Sequence, residues 1–224
     1  TSDEGYIAGG RLESDEIQVG DYALTNNGEY DGMIIKYSSK GAVEWASSVG
    51  GSDWDEINSV VGTSDGGYIA AGYFNSSSIQ VGDYTLTNSG QDEGMIIKCS
   101  SEGKVEWTRS IGGTIQSVAN TSDGGVIAGG SFTGSSIQVG EYTLTSNGYT
   151  DGMIIKYDSE GTIEWARRAG GDYWDEINSV VQTSDRGYIA GGEFQSSTIE
   201  EGSFNLENKG YSDWLLLKFQ PNTG

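Results

Sequence analysis

Histidine is absent from the 224 residues, and cysteine and proline occur once each. Without histidine there is no Ser-His-Asp or Cys-His catalytic unit, no imidazole metal ligand and no histidine pH switch. The lone Cys99 allows no intrachain disulfide. Positive charge is scarce as well: 12 Lys and Arg stand against 33 Asp and Glu, a net charge of −21. Such a surface repels nucleic-acid phosphates and anionic membranes, which excludes both as expected partners. No apolar run approaches the ~18 residues of a membrane span, so no membrane insertion is expected. Glycine, in contrast, is plentiful at 36 residues.

That glycine is distributed by repetition. Thr-Ser-Asp recurs at positions 1, 63, 121 and 183, and TSDEGYIAGG, TSDGGYIAAG, TSDGGVIAGG and TSDRGYIAGG align without gaps. Each is followed by a variant of IQVGDYTLT, then by DGMIIKY or a relative of it, and in the first three copies by Gly-x-[Val/Ile]-Glu-Trp. The chain reads as one repetitive region, 1–224, of four units, 1–62, 63–120, 121–182 and 183–224. The junction leading into the third unit is four residues shorter, GGTIQSVANTSD against GGSDWDEINSVVGTSD.

Within a unit the apolar runs are short, β-branched and aromatic, and separated by turn residues. INSVV leads through Thr-Ser-Asp-Gly-Gly into GYIAAGYF, and Asx hydrogen bonding with a permissive glycine suits turns at Asp65, Asp123 and Asp185. GMIIKY and AVEWA flank Ser-Ser-Lys-Gly. No stretch holds a helical period, so the reading is all-β. Four main strands per ~60 residues, in units unable to bury both faces alone, is the logic of a β-propeller. From the inside outwards the strands of a blade would be INSVV, GYIAAGYF, GMIIKY and AVEWA. The IQVGDYTLT hairpin would be an insertion projecting from one rim. A β-solenoid is the alternative, disfavoured by the long period.

The succession DGGYIAGG, DGMIIKY and GTIEWARRAGGDYWDEINSVV resembles the secreted bacterial β-propeller repeats of cell-surface and exported proteins. The resemblance spans essentially the whole chain and implies the propeller fold and an extracellular or cell-surface location. It implies no activity, and fold does not fix function.

The ring does not close on strand count. The first unit lacks an INSVV strand and the last lacks its Glu-Trp strand, leaving fourteen main strands where four complete blades need sixteen. The expectation is a segment of a longer array, or end blades completed by another chain. The C-terminal Gln220-Pro-Asn-Thr-Gly echoes a sortase signal, but its register matches the turn at Tyr157-Asp-Ser-Glu-Gly.

Several positions invite chemistry. Lys36, Lys98 and Lys156 should oppose Glu44, Glu106 and Glu164 on one face as repeated ion pairs. Trp45, Trp107 and Trp165 should face the other way and pack between blades. Tyr37, Cys99, Tyr157 and Phe219 share one core position, and Met33, Met95 and Met153 share another, to which Trp214 is assigned. Cys99 is then a buried apolar group rather than a nucleophile. Asn75 and Asn120 match the glycosylation sequon, at a frequency expected by chance.

The loops SDWDEINSVV and DYWDEINSVV differ from this core pattern. Asp53, Trp54, Asp55 and Glu56, and likewise Asp172, Tyr173, Trp174, Asp175 and Glu176, combine an aromatic platform with carboxylates. Trp54, Asp53, Asp55, Trp174, Tyr173 and Asp175 could stack on a sugar ring and bind its hydroxyls. Asp53, Asp55, Glu56, Asp172, Asp175 and Glu176 could supply oxygen ligands to Ca²⁺. The alternative is structural, with Asp55 and Asp175 bonding backbone N–H groups while the Trp covers a sheet end. The spacing is not that of an EF-hand.

The expected function is a non-enzymatic extracellular or cell-surface module binding glycan or protein through rim loops. Two alternatives are a structural subunit joined to further copies of itself through open blade edges, and a carboxylate-based glycosidase or lyase.

Overall fold

The computed structural model describes residues 1, 3–90, 92–201 and 204–220. It is all-β, with 63 % of the chain in strands and no helix, and therefore no helix long and apolar enough to cross a membrane. Two compact units divide it, Thr1–Ser110 and Ile111–Gly224.

The first unit holds two antiparallel sheets. One is three-stranded in the order β1 (Tyr6–Leu12), β4 (Asp31–Tyr37), β5 (Val43–Val49), with β2 (Glu16–Val19) and β3 (Tyr22–Thr25) as a separate hairpin. The other runs β6 (Asp55–Gly62), β7 (Tyr68–Phe74), β10 (Glu93–Cys99), β11 (Val105–Gly112), with hairpin β8 (Ser78–Val81) and β9 (Tyr84–Thr87). The expected strand order, INSVV to GYIAAGYF to GMIIKY to the Glu-Trp strand, is the observed one.

The second unit repeats this arrangement. Its first sheet is β12 (Thr114–Asn120), β13 (Val126–Thr133), β16 (Thr150–Tyr157), β17 (Ile163–Ala169), with hairpin β14 (Ser136–Val139) and β15 (Tyr142–Thr145). Its second is β18 (Asp175–Gln182), β19 (Tyr188–Phe194), β22 (Asp213–Phe219), with hairpin β20 (Thr198–Glu201) and β21 (Phe204–Glu207). Residues 221–224, which carry most of the sortase-like string, lie outside the described residues.

Glycines set how closely sheets approach within each unit. Strand β6 crosses β1 and β4, and β18 crosses β13 and β16. A Cβ on Gly9 would fall 2.6 Å from Ile57 and 2.7 Å from Val60, and one on Gly129 2.6 Å from Ile177 and 2.5 Å from Val180. Side chains there would push the sheets apart and open the core, which centres on Ile34, Ile57, Phe74 and Ile97 in one unit and on Ile154, Ile177, Phe194 and Leu215 in the other. Trp45 packs edge-on against Tyr68 (5.7 Å), and Trp165 against Tyr188 (5.5 Å), so both tryptophans join consecutive sheets.

Three details differ from the sequence reading. The Lys–Glu pairs form, at 2.7, 2.9 and 2.8 Å, but not by direct opposition. Lys36 pairs in register with Trp45 and Tyr37 with Val43, so Glu44 is the extra residue of a β-bulge; Glu164 is the same in β17. Trp214 occupies the position of Gly32 and Gly152, while Leu215 continues the methionine position: Trp214 pairs with Glu193 as Gly32 pairs with Arg11. Three of the inserted hairpins do not stand free. Tyr22, Tyr84 and Tyr142 hydroxyls donate to the Glu44, Glu106 and Glu164 carbonyls (2.5–2.6 Å), folding each hairpin back on the outer strand.

Candidate functional site

The loops entering β6 and β18 are each held by one buried aspartate. Asp55 is fully buried. Its Oδ2 accepts from Gly51 N and Ser76 Oγ, both 2.7 Å, and its Oδ1 from Asn75 N and Ser76 N, both 3.2 Å. Ser76 Oγ accepts in turn from Asp53 N at 2.9 Å. Burial pushes the Asp55 carboxyl above the usual Asp range despite these donors, and nearby Asp31 adds to the shift. Asp175 repeats the arrangement with Gly171 N (2.7 Å), Ser196 N (3.2 Å) and Ser196 Oγ (2.5 Å), and Tyr173 N donates to Ser196 Oγ (2.8 Å). These two aspartates therefore position the loop, as the structural alternative required. They are not presented to a ligand.

What they position is aromatic. Asp55 N donates to Tyr30 O (2.9 Å) and Asn75 N to Trp54 O (2.8 Å), which fixes Trp54 beside Tyr30. The two rings lie parallel within 4° at 6.0 Å between centroids, with Trp54 49 % exposed. The Arg11 guanidinium lies 4.9 Å from the Tyr30 ring centre, and the Tyr30 hydroxyl is 3.1 Å from that of Tyr73. In the second unit Trp174 is 51 % exposed and stacks on Tyr149 at 6.5 Å and 21°, while Tyr173 meets Tyr149 edge-on at 5.3 Å. Tyr149 N and Thr150 N both donate to Tyr173 O (3.1 and 3.2 Å), bringing the three rings together.

The remaining predicted carboxylates diverge. Asp53 Oδ1 accepts from the neighbouring Trp54 N. Glu56 turns towards Arg11 (3.5 Å) and the Tyr73 hydroxyl (3.4 Å). Asp172 accepts from Ser197 N (2.8 Å) and Ser197 Oγ (3.0 Å), which hold its carboxyl below the usual range. Burial raises the Glu176 carboxyl, against a hydrogen bond with Gln116. Among the described residues no group of three or more Asp, Glu or Cys is placed to hold a metal ion, so the six proposed Ca²⁺ ligands do not come together.

A cleft of about 330 Å³ is lined by Asn147, Arg168, Gly170, Gly171, Asp172, Ser197 and Thr198, of which Asn147 and Asp172 stand close in sequence to the platform residues Tyr149 and Tyr173. Arg168 Nη1 contacts the buried Asp151 (3.0 Å) and Gly170 O (2.9 Å). The sequence reading missed Tyr30, Tyr149, Arg168 and the two serines. A signal for the serines existed: Ser76 and Ser196 each follow a junction that carries a Trp loop, whereas Gly134, at the same position, follows the shorter junction without one.

No family model matches the chain. It is 26 % identical over 219 residues to the regulatory protein FlaEY of Caulobacter vibrioides, an alignment covering 88 % of this chain and 22 % of that protein. The chain thus spans about a fifth of the length of this curated relative. Among solved structures it is similar to a protein of unknown function from Bacteroides caccae, at a TM-score of 0.30 and 9 % identity, covering 96 % of this chain and 74 % of that one.

Proposed function

We propose that residues 1–224 form a β-propeller region of a secreted or surface-displayed protein, and that it works as a non-enzymatic binding module for glycans. The repeated sheets of one strand order, each with its inserted hairpin, support the propeller reading. The observation that carries the binding reading is the pair of exposed aromatic platforms, Tyr30–Trp54 and Tyr149–Trp174, each locked by a buried Asp–Ser knot. An exposed ring face suits the apolar face of a pyranose, and a rigid platform lowers the entropy cost of binding. In the second unit Asn147, Arg168, Asp172 and Ser197 offer donors and acceptors for sugar hydroxyls in a cleft lined by residues close in sequence to Tyr149 and Tyr173.

The test is a glycan array with the wild-type chain, followed by Trp54→Ala, Trp174→Ala and the double variant on whichever glycans bind. Loss of binding with an unchanged melting temperature is expected, because both indoles are half exposed. Binding that survives the double substitution would overturn the assignment, and a protein ligand would then be sought. A second reading, association through open sheet edges, is favoured by Trp214 and Leu216, which are 90 % and 72 % exposed on β22. Light scattering across concentration tests it, with growing particle mass expected and a constant monomer mass against it.

A further inference from the structure

Each of the four repeats places a lysine ammonium against the aspartate of its Thr-Ser-Asp turn. In the first three, Lys36, Lys98 and Lys156 have side chains 0, 6 and 1 % exposed, and each Nζ meets two carboxylates. One belongs to the Thr-Ser-Asp turn, Asp3, Asp65 or Asp123, at 2.7–3.2 Å; the other is a glutamate of the outer strand, Glu44, Glu106 or Glu164, at 2.7–2.9 Å. Lys218 keeps the first partner, Asp185 at 2.7 Å, but its side chain is 46 % exposed and no second carboxylate reaches it among the described residues. Its strand, β22, is also the edge of its sheet, whereas β4, β10 and β16 each carry an outer strand on the corresponding side.

We infer that β22 is a docking edge for one further antiparallel strand of the pattern Gly-x-[Val/Ile]-Glu-Trp, whose glutamate completes the half-built carboxylate cage at Lys218. The ladder supplies the affinity and the ion pair selects the register, the usual division of labour in strand addition. The occupant is specified by charge complementarity and by three examples in the same chain. One feature lowers the expected affinity: Phe204 stands in sequence where Tyr22, Tyr84 and Tyr142 donate to the outer strand, so that hydrogen bond is missing. The inference deepens the association reading above, but strand addition to β22 does not require the chain to self-associate.

The probe is a capped, fluorescently labelled nonapeptide with the sequence of residues 41–49, Gly-Ala-Val-Glu-Trp-Ala-Ser-Ser-Val, whose negative charge disfavours non-specific attraction to this acidic protein. Anisotropy should show saturable binding, and hydrogen exchange should show new protection in β22. Changing the peptide Glu to Gln, or Lys218→Met in the protein, should each weaken binding roughly fivefold, and combining them should cost little more. Lys218 is half exposed, so its variant is expected to fold, which an unchanged melting temperature verifies. Absence of binding at millimolar peptide, equal binding by both peptides, or protection confined to another edge such as β1 would each overturn the inference. Light scattering without peptide reads self-association separately, so either idea can fail alone.

Discussion

Lys98 Nζ lies 2.9 Å from Asp65 Oδ2, although 33 residues separate them. Asp65 also accepts from Gly67 N (2.9 Å) and from the Thr63 hydroxyl, so one carboxylate shapes the turn between β6 and β7 and grips the lysine of β10. The Thr63 hydrogen bond, Gly67 N and Lys98 together lower the Asp65 carboxyl to about 2, against some desolvation. Burial opposes the charge on Lys98, but the hydrogen bonds it donates to Glu106 and Asp65 outweigh it and raise its ammonium.

These shifts predict a stability plateau with two edges. Asp65 has a depressed folded pKa, so its contribution is present above about pH 4 and is lost as pH falls towards 2. Lys98 has a raised one, so its contribution is complete below the ordinary lysine range and is lost as pH climbs beyond it. Lys98→Met should remove about 2 kcal/mol near pH 7 and flatten both edges, as read by urea midpoints from pH 2 to 12. An unchanged midpoint at pH 7 would show that the cage contributes nothing net.

The glycine closing this turn is required by space. A Cβ on Gly67 would lie 2.4 Å from both Cys99 O and Lys98 Nζ. Gly67→Ala should cost about 2 kcal/mol. One residue earlier the requirement is conformational: Gly66 has φ 86°, and its counterpart Arg186 holds φ 64°. Arg186→Gly should therefore stabilise the chain by up to about 1 kcal/mol. Thermal melts of the two variants should move in opposite directions.

Asp55→Ala would strand Gly51 N, Ser76 N and Ser76 Oγ in a buried site, while Asn75 N would keep its bond to Trp54 O. A loss of about 3 kcal/mol is expected. Trp54→Ala, at an exposed position, should change stability by less than about 1 kcal/mol. Denaturation of both variants checks the contrast, and equal losses would contradict the assignment of Asp55 as the anchor and Trp54 as the presented group.

Cys99 is 5 % exposed, and burial pushes its thiol up to about 11. It should resist a thiol reagent at pH 8 in the folded chain and react at once in denaturant. Rapid native labelling would mean that β10 opens locally.

The four-fold repetition, the short β-branched runs and the turn residues between them by themselves determined the all-β class, the strand order and the Lys–Glu pairing. Each is a local pattern copied along the chain, so periodicity alone reveals it. The tertiary structure decided what depends on residues distant in sequence. It made Asp65 the second partner of Lys98, turned Glu44 into a bulge, and gave Asp55 to the loop rather than to a ligand. It also set Tyr30 beside Trp54 and Tyr149 beside Trp174. Such contacts join segments distant in sequence that folding brings together, and a carboxylate's role follows from which donors that folding delivers, which no repeat spacing records.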